Sequence, residues 1–157
     1  MAEGQVRDRT VLIAVDESDH SRSAFEWYLK NVWKKADTII ISHMFEMPYL
    51  PVLNPKYGLN IPVEEWQKAI QDQLLKVQKL EADYEADMIS KKMHYKLRGE
   101  MNKAPGQGII QVAEEENADM IIMGTRGLDM IRRTLLGSVS DYVVRHSHVP
   151  VLVCPKL

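Results

Sequence analysis

Three glycines and two serines in the last quarter of the chain have the types and spacing to do chemistry. They are Gly124-Thr125-Arg126-Gly127, then nine residues, then Gly137-Ser138-Val139-Ser140, all following the apolar run Met120-Ile121-Ile122-Met123. Glycine leaves main-chain N–H groups uncovered. Ser138 and Ser140 add hydroxyl donors where a helix should begin, so the set suits an anion held by amides and by the positive end of a helix dipole. The expected chemistry is phosphate binding. The two common nucleotide fingerprints do not account for it. A P-loop requires a Gly-Lys pair, and none occurs in the chain; Gly106-Gln107-Gly108 begins like a dinucleotide motif but has Gln111 where the third glycine belongs.

A second residue with chemical potential is Asp16, which closes Ala14-Val15-Asp16 after an apolar run. A carboxylate can accept both hydroxyl protons of a ribose. It serves equally well as a helix cap or turn residue, and the two roles can coexist.

These residues need a scaffold. Val11 to Val15, Thr38 to Met44, Met120 to Met123 and Val151 to Cys154 are short apolar runs rich in β-branched residues, with a weaker fifth at His94 to Arg98. Continuous apolar runs separated by helical patterns predict buried parallel strands in a doubly wound α/β sheet. A first helix is predicted to start near Ser18 or Asp19, and a second to run from Val63 to about Lys92, long enough to require a kink or an overhanging end. A third follows Pro105 and stops near Asn117, and the last opens at Gly137-Ser138. Between Glu46 and Pro62, four prolines and Gly58 predict an irregular connection, apolar enough to need a covering surface.

The fold class predicted is α/β: one domain with an open five-stranded parallel sheet ordered 3-2-1-4-5 and helices on both faces. In that order strands one and four are neighbours where the winding reverses, which is where ligands sit in such sheets. Residues 1–9 are expected to form a flexible N-terminus and 10–157 the domain.

The order of elements, the strand ends at Ala14-Val15-Asp16 and His43-Met44, and the spacing Gly-x2-Gly-x9-Gly-Ser resemble the ATP-binding branch of the universal stress protein family over nearly the whole chain. The resemblance implies a Rossmann-like fold of the adenine nucleotide α-hydrolase type. It implies that Ala14, Val15 and Asp16 contact adenosine, with Asp16 on the ribose, and that main-chain groups of Met44 read or flank the adenine. It further implies that Met123, Gly124, Gly127, Gly137, Ser138, Val139 and Ser140 enclose base edge, ribose and phosphates. The ligand implied is ATP, with Mg2+ as an optional companion of its phosphates. The final segment Val149 to Val153 matches a strand that often pairs across a homodimer in that family.

Catalytic signatures are scarce. The chain lacks a Gly-x-Ser-x-Gly elbow, a His-Glu-x-x-His helix and a kinase Asp-Phe-Gly set. His43 reads as a hydrogen-bonded core residue, His146 and His148 as neighbours of a helix end, and His20 as the histidine nearest the phosphates. The expectation is a nucleotide-dependent binding module or switch in a stress response. A slow ATPase or nucleotidyl-transfer enzyme using Asp16 and His20 is one alternative, and a dimeric stress protein without nucleotide is the other.

Composition bounds the remainder. At 157 residues the chain can bury a core without staples, and a formal charge of -2 with interspersed signs argues against a nucleic-acid surface. Cys154 is the only cysteine, so no internal disulfide forms. The first residues carry no apolar signal core and no run is long enough to span a membrane, so a soluble, cytoplasmic protein is expected.

Overall fold

β-branched and aliphatic residues that bury both faces make the strands here, and the helices between them have one apolar stripe each. In the computed structural model, which describes residues 8–49, 62–125 and 136–155, the chain runs β1 (Thr10–Ala14), α1 (Asp19–Asn31), β2 (Thr38–Phe45), α2 (Val63–Ser90), β3 (His94–Met101), α3 (Pro105–Glu115), β4 (Met120–Gly124), α4 (Ser138–His146) and β5 (Val151–Cys154). The five strands form one parallel sheet in the order β3-β2-β1-β4-β5, as the sequence predicts.

Alternation along the strands divides the core. Val11, Ile13, Ile39, Ile41 and Ile122 face α1 and α2, where they meet Phe25, Tyr28, Tyr84 and Met88. Leu12, Ala14, Ile40, Ile121 and Met123 face α3 and α4, where they meet Ile109, Val112 and Val143. Each fully buried aliphatic or aromatic side chain contributes about 1.5–3 kcal/mol, so both layers are needed to hold the sheet.

The helix ends follow local chemistry. Ser18 caps α1, its Oγ accepting from the Ser21 amide at 3.3 Å. α2 and α3 close alike: Lys92 (φ 52°) and Asn117 (φ 50°) turn left-handed. The Met93 and Ala118 amides then reach back to the carbonyls of Met88 and Ala113 at 3.0 and 2.8 Å. Asn117 advertises that turn in the sequence; Lys92 does not. α2 is one continuous helix of 28 residues, about 42 Å long. Its buried residues, Tyr84 and Met88, lie in the last quarter, while Leu74 and Leu75 in its middle stay exposed.

β3 runs past its expected end at Arg98 to Met101. The extension passes through Gly99, where a Cβ would lie 2.8 Å from Nε2 of the buried His43 on β2. Glycine is thus what allows the strand to continue beside that ring. His43 Nε2 in turn lies 2.9 Å from Glu81 Oε1 on α2. Most of the apolar connection after Glu46 lies outside the described residues. Of its described ends, the Pro48 carbonyl accepts from Trp66 Nε1 at 2.9 Å. Among the described residues no helix is long and apolar enough to cross a membrane.

Candidate functional site

The sheet order places the carboxyl ends of β1 and β4 side by side, and the chain leaves them in opposite directions, into α1 and toward α4. A cavity of about 470 Å³ opens there, within the range of small-molecule sites. Its floor is a row across the sheet: Ser42 opposite Ala14, and Ala14 opposite Met123. Two small side chains in that row create the depth. Met44, Pro105 and Ile109 form one wall, and Val15, Asp16 and His20 another; Gly124 and the four residues Gly137 to Ser140 line the remainder.

Ten of the eleven residues expected at the site line this one cavity: Ala14, Val15, Asp16, Met44, Met123, Gly124, Gly137, Ser138, Val139 and Ser140. Gly127 lies outside the described residues, as do Arg126, Arg132 and Arg133.

Asp16 is held in place by its own turn. Its Oδ1 accepts from the Ser18 amide at 2.9 Å and also from the Ser18 hydroxyl. Its amide donates to Oγ of the buried Ser21 at 3.1 Å, and that oxygen sits 3.2 Å from the Tyr84 hydroxyl. The carboxylate is exposed at the cavity rim. The turn role and an outward-facing carboxylate therefore occur in the same residue.

Also lining the cavity, α4 begins with Gly137 as its N-cap, and no side chain caps it. An uncapped first turn presents main-chain N–H groups and the positive dipole end to whatever fills the space. The hydroxyl of Ser140 is not available as a donor in the way the sequence suggests, because it donates to the Gly137 carbonyl at 3.0 Å. A Cβ at Gly137 would meet only Ser140 Oγ, at 3.6 Å.

Met44 contributes in two ways. Its side chain packs so closely on α3 that a Cβ at Gly108 would lie 2.5 Å from its sulfur. Its main chain also faces the cavity. The Val15 amide donates to the Ser42 carbonyl, and the Asn102 amide to the Phe45 carbonyl, on opposite edges of β2. Alternation turns the Met44 groups to the Ser42 edge, beyond the point where β1 ends.

Sequence reasoning missed Ser18, Ser21, Ser42, Pro105 and Ile109 as lining residues. Pro105 and Ile109 were assigned to a helix and its buried face, which is correct for the helix and silent about the cavity at its first turn. Ser42 carried a readable signal: it is a polar residue inside an apolar strand, two positions before Met44 and so on the same face.

The arrangement has known counterparts. The profile described as the universal stress protein family matches residues 8–155. Universal stress protein MJ0531 of Methanocaldococcus jannaschii is 32% identical over 150 residues, covering 94% of this chain and 82% of that protein. MJ0577 of the same organism is 28% identical over 158 residues, covering 94% of this chain and 95% of that protein. Its solved structure superposes with a TM-score of 0.68 at 24% identity, covering 97% of this chain and 99% of that one. A universal stress protein family protein from Arabidopsis thaliana, solved with AMP bound, superposes with a TM-score of 0.70 at 20% identity, covering 95% of this chain and 92% of that one. With the sheet order, the strand-end cavity and a profile match across nearly every described residue, the chain belongs to the universal stress protein family.

Proposed function

We propose that this cavity binds an adenine nucleotide, ATP in the cell, and that the protein is a cytoplasmic, homodimeric binding module whose partner choice depends on the bound nucleotide. The observation that carries this reading is the coincidence, in one cavity, of an apolar slot, an exposed carboxylate and a helix N-terminus that no side chain caps. Those three features match a base, a ribose and a phosphate chain in chemistry. Ala14, Val15, Met44 and Met123 flank the base, and Asp16 accepts the ribose hydroxyls. The main chain of Gly124, Gly137, Ser138, Val139 and Ser140 surrounds the phosphates, and Gly127, outside the described residues, is assigned to the same task. The Arabidopsis relative solved with AMP supports an adenine ligand.

Mg2+ fits as a companion of the phosphates, since that ion commonly uses one or two carboxylates and keeps its other ligands as phosphate oxygens and water. The one carboxylate among the described lining residues, Asp16, is assigned to the ribose, so Mg2+ would be held there by phosphate oxygens and water.

The test is direct. Small molecules released by denaturing the purified protein are identified by mass spectrometry, and ATP, ADP, AMP and GTP are titrated calorimetrically into the ligand-free protein. ATP in the released fraction and tighter binding of ATP than GTP support the reading. Absence of heat with every nucleotide overturns it. ADP accumulating from bound ATP over hours instead supports the slow ATPase.

A further inference from the structure

Four buried side-chain polar atoms have no hydrogen-bond partner among the described residues: His20 Nδ1, Trp33 Nε1, Ser42 Oγ and Thr125 Oγ1. His20 and Ser42 line the cavity, and Thr125 directly follows Gly124, which also lines it. Ser42 is the most informative of them because the whole residue is buried, with 0% of its surface exposed.

The location of Ser42 is specific. β2 sends Ile39, Ile41 and His43 to one face and Ile40, Ser42 and Met44 to the other. Both polar residues of this stretch are buried, yet only one is paired among the described residues: His43 meets Glu81, while Ser42 Oγ finds no partner there. An unpaired buried hydroxyl is unfavourable, whereas alanine at the same position would fill the strand without that cost. Ser42 lies opposite Ala14, and the apolar side chains of Met44, Ile109 and Met123 line the same cavity. A planar heteroaromatic ring lying in this slot would have Ser42 as a side-chain hydrogen-bonding group at its edge. In the proposed nucleotide pose Asp16 and the α4 N-terminus take the sugar and the phosphates.

We infer, building on the nucleotide reading of the same cavity, that Ser42 is a base-recognising residue whose hydroxyl hydrogen-bonds a nitrogen on the edge of the bound purine. A hydroxyl both donates and accepts, so it can meet a ring nitrogen or an exocyclic amine. The bond is absent when the cavity is unliganded, which makes Ser42 a residue that costs stability in the free protein and contributes affinity in the complex.

Three measurements on the parent and Ser42→Ala test this: calorimetric affinity for ATP, affinity for the base-free analogue ribose 5-triphosphate by competition, and the melting temperature without ligand. The variant is expected to bind ATP about five- to tenfold more weakly, to bind ribose 5-triphosphate as the parent does, and to melt at the same temperature or higher. An unchanged ATP affinity overturns the assignment. So do equal losses for both ligands, or a lowered melting temperature, because each would make the hydroxyl a structural group. Purine riboside triphosphate, which lacks the exocyclic amine, and 7-deaza-ATP then locate the bond: the analogue missing the partner nitrogen shows no difference between parent and variant. Failure of the parent itself to bind ATP overturns the nucleotide reading, a result separate from any behaviour of the variant.

Discussion

Gly124, at the end of β4, lies against the main chain of His20 in the first turn of α1: a Cβ on Gly124 would be 2.4 Å from the His20 carbonyl oxygen and 3.0 Å from the Ser21 nitrogen. That distance is a collision with backbone, which has no rotamer to relieve it. Gly124 therefore sets how closely α1 can approach the switch point, and it has a packing role beside any contact with phosphate. Gly137 is different, since its added Cβ would meet only ordinary van der Waals distance.

The two glycines should separate in the laboratory. Gly124→Ala is expected to lose about 1–3 kcal/mol of stability, the usual range for overpacking, and Gly124→Val more. Gly137→Val should keep the fold and weaken ATP binding at least about tenfold, or about 1.4 kcal/mol. Urea denaturation and calorimetry on the same samples decide between these roles. A stable Gly124→Ala, or a Gly137→Val with parental affinity, would contradict them.

Asp16 calls for a substitution that spares its turn. Asp16→Asn keeps an oxygen to accept from the Ser18 amide, whereas Asp16→Ala removes it, so only the second should loosen the start of α1. Both should bind ATP more weakly by about 1.5–3 kcal/mol, the contribution of a hydrogen bond to a charged group, and both should lose far less toward 2′,3′-dideoxy-ATP. Equal losses for the two nucleotides would leave Asp16 a turn residue only.

Below the sheet, Asp37 is 1% exposed and gathers four donors: Arg9 Nε at 3.0 Å, Arg9 Nη2 at 2.6 Å, the Tyr28 hydroxyl at 2.7 Å and the Lys34 amide at 3.0 Å. Burial alone would raise the Asp37 pKa, but hydrogen bonds from Arg9, Tyr28 and Lys34 outweigh it and hold the carboxyl below the usual 3.8. A carboxyl depressed by folding stabilises fully above its unfolded pKa, and that contribution is lost as pH falls through the lower, folded value. Asp37→Ala should cost about 3–5 kcal/mol at pH 7, because it leaves Arg9 and Tyr28 facing an unpaired space. The gap between parent and variant should narrow only below about pH 4. Chemical denaturation from pH 7 to pH 2 checks this; a gap that closes already at pH 6 would assign the effect to another group.

How far the sequence carried can be argued residue by residue. The runs Val11 to Ala14 and Ile39 to Ile41 announced strands buried on both faces because two-sided burial leaves no room for polar alternation. Asn117 announced a helix stop because its side chain tolerates a left-handed turn, and Asp16 announced a turn because a short carboxylate can accept from the amide two residues on. The missing partner of Ser42, the packing role of Gly124 and the turn at Lys92 were opaque for different reasons. The hydroxyl of Ser42 is informative only once its missing partner is known, which requires three dimensions. The neighbour that constrains Gly124 is distant in the chain. The left-handed φ of Lys92 is set by buried Met93 reaching back to Met88, against the preference of lysine itself.

The two edges of the sheet differ in a way that bears on assembly. β3 carries Lys96, Arg98 and Glu100 at alternate positions, and Arg98 is tied to Glu100, Glu115 and Glu116. Charges of that kind discourage strand addition. β5, at the other edge, is Val151-Leu152-Val153-Cys154, with its first three residues half-buried. Val151 and Val153 lean toward the α3 and α4 side and Leu152 toward the α1 and α2 side. An apolar edge that pairs, among the described residues, with β4 alone invites the same strand of a second copy around a two-fold axis. Pro150 has no N–H and Pro155 bounds the run, so the ladder would be short and side-chain burial would supply most of the affinity. A homodimer is therefore expected at micromolar concentration in the analytical ultracentrifuge. Val151→Lys and Leu152→Lys, tested separately because they face opposite sides, should produce a monomer in at least one case. A monomeric parent, or a dimer that survives both folded variants, would show that the β5 edge is not the interface.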